Sequence, residues 1–215
     1  MSLIQDGAAT CSAPTLPWPV AYWRDWRRSL ALLLSDAMAD IIPVNYRTDI
    51  LPEYRDSPVG LLLEYHNLER AAGSASQRRL LIGMCMDGRT TLRMPRGFAF
   101  VLRTAGANMR DNEFRISYAI AVGGVRSIVL IAHTDCGMKA VASMHDQFVD
   151  GMVEHAGWTV DQAEDLYSEG LPKFGISDEI DFVIQEADRL RALYPKIEVA
   201  PLLYQVEDNL LYQVR

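Results

Sequence analysis

The sequence predicts an α/β protein, with a mostly parallel central sheet flanked by helices and an N-terminal helical arm. Three observations lead there. Apolar, β-branched runs recur at residues 79–85, 97–104, 127–132 and 197–205, and each has the length of a strand. Between them lie segments whose apolar residues return every three or four positions, the helical period. Strands alternating with helices are joined by crossovers and therefore lie parallel. Finally, the chemically versatile side chains sit at the ends of two of these runs, where open α/β sheets gather their ligands.

Residues 1–20 carry Pro14, Pro17 and Pro19 among small residues and read as an extended leader. Trp23, Trp26, Leu30, Leu33, Leu34 and Met38 then recur at helical spacing over 22–38. Aromatic and arginine residues crowd the start of that helix, which suits docking on a partner subunit or packing on its own domain. Pro43, Pro52 and Pro58 break the stretch 41–58 into irregular chain, and a helix is expected over 59–72, followed by a polar linker. Residues 1–73 are thus read as leader and arm, part of the same domain as an α/β zinc-binding core at 74–215. In that core, helices are expected at 113–122, 136–145 and 158–170, the last opened by a Thr159–Gln162 capping box. A longer helix capped by Ser177 ends at Pro195, and after the strand 197–205 the chain turns at 207–209 into a last segment, 210–214.

Composition narrows the function. The chain has 215 residues, 49% hydrophobic and 23% charged, which is ordinary for a soluble globular protein. Its net charge of −7 argues against a nucleic-acid or anionic-membrane partner. No apolar stretch approaches the roughly 20 residues of a membrane span, and the N-terminus lacks the basic and apolar regions of a signal peptide. With three cysteines, two of them suited to a metal, a reducing cytoplasm is the expected compartment and Cys11 a bystander thiol.

Cys85-Met-Asp87-Gly-Arg89 and His133-Thr-Asp-Cys136 carry the chemistry. Cys85, His133 and Cys136 form a three-donor zinc set that leaves a fourth position for water or substrate. Two other readings remain: buried core cysteines with a satisfied histidine, and a purely structural zinc. The latter sites usually close with four Cys or His ligands, whereas the nearest fourth group here is a carboxylate. Two thiolates neutralise the dication, so bound water loses its proton less readily than the pKa of roughly 7 reached at a three-histidine zinc site. Asp87 is placed to accept a hydrogen bond from that water. Arg89 would hold Asp87 as a bidentate partner and keep it off the metal; release would let Asp87 close the site, an on/off switch.

These residues resemble the β-class carbonic anhydrases. Cys85-Met-Asp-Gly-Arg89 is similar to the family's Cys-x-Asp-Ser-Arg, Phe100-Val-Leu-Arg-Thr-Ala-Gly106 to its Phe-Val-x-Arg-Asn-Ala-Gly, and His133-Thr-Asp-Cys-Gly137 to its His-Thr-Asp-Cys-Gly. The similarity is continuous over residues 61–140 and weaker from 180 onward. It implies zinc on Cys85, His133 and Cys136, an Asp87–Arg89 catalytic dyad, hydration of carbon dioxide to bicarbonate and a proton, and a homodimer or higher homo-oligomer with an N-terminal arm across the neighbour. Three departures stand out: Gly88 for the usual Ser, Thr104 for the usual Asn with Asn108 nearby, and a long segment 151–174 in which Trp158, Tyr167 or Phe174 could cap the site.

The leading reading is therefore a zinc lyase acting on carbon dioxide. The alternatives are a hydrolase of carbonyl sulfide or carbon disulfide on the same zinc site, and a non-catalytic zinc-binding homologue. His66 is read as a polar-face residue, His145 and His155 as surface histidines with a proton-shuttle role as the second option. Arg24, Arg27 and Arg28 read as a solvated or subunit-facing surface, and Gly123-Gly124 as a helix stop without a nucleotide.

Overall fold

The structure, a computed structural model, describes residues 39–71 and 79–215. The leader, the 22–38 helix and the linker after residue 71 lie outside the described residues, as does Cys11. The described chain runs β1 (Ile41–Ile42), α1 (Pro58–Asn67), β2 (Leu80–Cys85), β3 (Ala99–Thr104), α2 (Glu113–Ala121), β4 (Ser127–His133), α3 (Gly137–Ala140), α4 (His145–Ala156), α5 (Val160–Phe174), α6 (Glu179–Leu193), β5 (Glu198–Gln205) and β6 (Leu210–Val214).

One six-stranded sheet has the order β1-β6-β5-β4-β2-β3. β3, β2, β4 and β5 are parallel, and β6 and β1 add antiparallel strands. Every residue of β2 and β4 is buried, as expected for parallel strands covered on both faces. Alternation along them feeds two cores. Leu80, Ile82, Met84, Val129 and Ile131 pack with Leu62 and Leu63 of α1 on one face. Leu81, Ile128, Leu130 and Ala132 pack with Ile116 of α2 and Val183, Ala187 and Leu190 of α6 on the other. After β2 the chain adds β3 on one side and then crosses back to place β4 on the other. That reversal opens a crevice at the carboxyl ends of β2 and β4.

Several expected boundaries move, each for a local reason. α1 stops at Asn67 because Leu68 caps it and Glu69 takes a left-handed φ of 52°. The stretch 41–58 is not wholly irregular, since Ile41 and Ile42 pair with Val214 and Gln213. No single helix spans 136–145. α3 gives way to a 3₁₀ turn at Val141–Ser143, where Ser143 Oγ bonds back to the Ala140 carbonyl at 2.8 Å, and His145 opens a new helix. The Thr159–Gln162 capping box is present, but α5 runs on to Phe174. Asp178, not Ser177, caps α6, its carboxylate accepting from the N–H groups of Ile180 and Asp181 at 2.9 and 3.1 Å.

His66 is not a polar-face residue. It is buried, with Nδ1 accepting from the Arg93 N–H and Nε2 donating to the carbonyl of Asn209 in the β5–β6 turn, each at 3.0 Å. Burial foremost lowers its pKa to about 4. The folded state therefore binds this proton more weakly than the unfolded chain does, and stability is complete above the unfolded pKa near 6.5 and falls as pH drops towards 4. His66→Gln should remove about 3 kcal/mol of the stability difference between pH 7.5 and pH 4, read by urea unfolding at both values. Equal pH slopes in the two proteins would refute this.

Candidate metal centre

Cys85 is the last residue of β2, His133 the last of β4, and Cys136 the N-cap of α3. Because β2 and β4 are hydrogen-bonded neighbours in register, with Met84 opposite Ile131, two segments 48 residues apart in sequence meet at one end of the sheet. All three side chains are buried, and their donor atoms lie within 4.8 Å of one another. A tetrahedron with 2.3 Å metal–sulfur bonds has edges of ~3.8 Å, so small shifts seat an ion among them. The structure thus brings together all three expected donors.

The local chemistry fits a cation. His133 Nδ1 lies 2.9 Å from the Thr134 carbonyl, which can only accept, so the proton sits on Nδ1 and the Nε2 lone pair is free. That Nε2 is buried and without a hydrogen-bond partner, an arrangement a coordinated ion would satisfy. Cys85 and Cys136 share a proton. Hydrogen bonding from Cys136 pulls Cys85 well below the usual thiol range against the cost of burial, helped by the N–H groups of Asp87 and Gly106. Cys136, beside the charged Cys85 and buried, is pushed far up. A divalent cation removes this competition, and thiolates with an imidazole suit zinc. Gly106 makes its contribution from a left-handed φ of 60°, and a Cβ there would meet Met138 Cγ at 3.3 Å.

Asp87 and Arg89 lie beside the donors. Arg89 donates to Asp87 from its backbone N–H at 2.8 Å, from Nε at 3.2 and 3.1 Å, and from Nη2 at 2.8 Å. This fork holds the Asp87 pKa down at about 2, the Arg89 side chain being the largest cause. Asp87 Oδ2 stands 4.0 Å from His133 Nε2, near the donor set but turned towards Arg89. Among the described residues no further His, Cys, Asp or Glu completes the group, so a fourth coordination position stays open.

Arg103, one residue before Thr104 at the end of β3, braces this loop from beneath. Its guanidinium donates to the carbonyls of Cys85 at 2.8 Å and Thr90 at 2.7 Å. The sequence placed Arg103 in a motif without a task, because carbonyl partners leave no side-chain signature. Gly88 has open space around it, so a serine there would meet no obstacle. Thr104 Oγ1 is buried without a partner, and Asn108 does not supply one; it bonds to the Lys173 carbonyl at 2.6 Å and to the Arg110 N–H.

The 151–174 segment forms the α4–α5 hairpin. Tyr167 packs on His145 and Phe148 and donates to the Val141 carbonyl at 2.6 Å, while Phe174 lines an open cleft with Thr104 and Asn108. The apolar wall against Cys85 and Cys136 comes instead from Ile176, Met138 and Phe182. His145 is clasped between Asp146 at 2.9 Å and Glu164 at 2.7 Å, and His155 is exposed near the end of α4.

Residues 80–195 match the family model described as carbonic anhydrase. Among curated proteins, the carbon disulfide hydrolase of Acidianus sp. (strain A1-3) is 30% identical over 141 residues, covering 62% of this chain and 65% of that protein. The carbon disulfide hydrolase of Saccharolobus solfataricus is 34% identical over 94 residues, covering 41% of this chain and 46% of that one. The chain thus spans under two thirds of the length of each. Among solved structures, β-carbonic anhydrase isoform I of Trichomonas vaginalis shares the fold, with a TM-score of 0.55 at 23% identity over 66% of this chain and 85% of its own. The matched region takes in more than half of the chain, with both donor-bearing strands and the Asp87–Arg89 pair, and by that match the chain belongs to the β-class carbonic anhydrase family.

Proposed function

We propose that the chain hydrates carbon dioxide to bicarbonate and a proton, with Cys85, His133 and Cys136 holding zinc, the family's metal, and Asp87 and Arg89 serving the reaction. The observation that carries this reading is a charged carboxylate set 4.0 Å from His133 Nε2 and kept from the donor set by a bidentate arginine. When bound, the ion supplies Lewis acidity that lowers the pKa of a water molecule. Asp87 accepts a hydrogen bond from that water and fixes which lone pair faces the substrate. With a pKa of about 2 it is a poor proton acceptor near neutrality, so it orients the nucleophile and the proton leaves to solvent. Ile176, Met138 and Phe182 present an apolar wall that suits a linear molecule without a net dipole. No described helix is long and apolar enough to cross a membrane.

The curated relatives favour a second reading, hydrolysis of carbon disulfide or carbonyl sulfide on the same residues, with hydrogen sulfide as a product. Stopped-flow carbon dioxide hydration from pH 6.5 to 9 on zinc-verified protein, run beside sulfide release from the two sulfur gases, separates them. Turnover rising with pH on carbon dioxide is the expected result. Sulfide release without carbon dioxide hydration would replace it with the second reading.

A further inference from the structure

Asp135 lies between two of the donor residues, in His133-Thr-Asp-Cys136, and takes no part in the scheme above. Its backbone is left-handed, with φ 55°, a conformation that L residues other than Asn and Asp seldom adopt. Its carboxylate is 78% exposed yet points back at the site, where Oδ2 accepts from Arg89 Nη1 at 2.8 Å. The Asp135 carbonyl accepts from Arg89 Nη2 at 2.9 Å. Arg89 thus directs one edge of its guanidinium to Asp87 and the other to Asp135. Asp87 sits on the loop after β2, two residues past Cys85 at the strand's end, whereas Asp135 sits between His133 and Cys136 on the loop after β4.

We infer that Asp135 is a positioning residue: through Arg89 it clasps the two donor-bearing loops together and fixes the guanidinium that orients Asp87. The inference rests on the proposed role of Asp87. An exposed ion pair adds little to global stability, so its value here is geometric. A planar guanidinium pinned at both edges cannot rotate, and a carboxylate bound to it inherits that orientation. Remove the carboxylate, and that edge of Arg89 keeps only the bond from Nη2 to the backbone carbonyl of residue 135, a single pivot.

The left-handed backbone selects the informative variants. Asp135→Gly deletes the carboxylate without backbone strain, and Asp135→Asn keeps both an acceptor oxygen and a residue that tolerates this φ. Two quantities are measured on each zinc-loaded protein: the rate of zinc transfer to a chromogenic chelator, and kcat and KM on whichever gas the wild type turns over. Asp135→Gly should release zinc about tenfold faster and lose about tenfold in kcat with KM within a factor of about two, the scale of one charge-assisted hydrogen bond. Asp135→Asn should restore most of both. Wild-type release and kcat in Asp135→Gly would overturn the inference, as would an Asn variant no better than Gly. A wild type inactive on all three gases would sink the catalytic reading alone, since chelator transfer still tests the clasp.

Discussion

Asp87→Asn should keep a full complement of zinc and lose about 100-fold in turnover, the scale on which a misplaced nucleophile costs rate. Asn has one acceptor oxygen for the bonds that Arg89 now divides between Oδ1 and Oδ2, so the fixed carboxylate beside His133 is lost, while Cys85, His133 and Cys136 are untouched. Metal analysis with stopped-flow kinetics gives both numbers, and an unchanged kcat would remove Asp87 from the mechanism. Arg89 lowers the Asp87 pKa to about 2, so its contribution to stability is present above the ordinary carboxylate pKa and lost only as pH falls through about 2. Between pH 6.5 and 9 its charge is constant, and a rise in rate across that window reports another group.

Cys136→Ser should lower zinc affinity by more than about 100-fold, since losing a direct donor costs at least as much as losing a supporting hydrogen bond. The hydroxyl fits where the buried thiol sat, and the sheet register does not depend on it. The variant should therefore stay folded by circular dichroism while dialysing free of zinc and losing activity. Zinc retained at one equivalent would take Cys136 out of the donor set.

Much of this was legible in the sequence for a physical reason. Parallel strands buried on both faces must be apolar throughout, so 80–85 and 127–133 announce themselves, and their ends mark where ligands gather. The donors could be read because thiols and an imidazole at two strand ends have few better uses. What escaped depended on partners remote in sequence. His66 looked polar until the Asn209 carbonyl and the Arg93 N–H took up its ring nitrogens, and Asp178 outcompetes Ser177 as a cap because its carboxylate reaches two N–H groups. Asp135 was part of a quoted motif, but its grip on Arg89 follows from a left-handed backbone that residue type alone does not reveal. The break at 141–143 likewise depends on one hydroxyl turning back on its own helix.

The pairing of β2 with β4 also sets an order of events as the chain folds. β3 and α2 must be spun out between these strands before the strands can meet, so their contact is a long-range one whose loop entropy is met early in the search. In an unfolded chain Cys85 is 48 residues from His133, so the three donors are not presented to an ion together. With zinc on Cys85, His133 and Cys136 as proposed, uptake is expected to be a late step, on a sheet already in register, and bound zinc would report finished molecules. By mass action it then holds those molecules against unfolding, with a grip that grows with the free metal concentration.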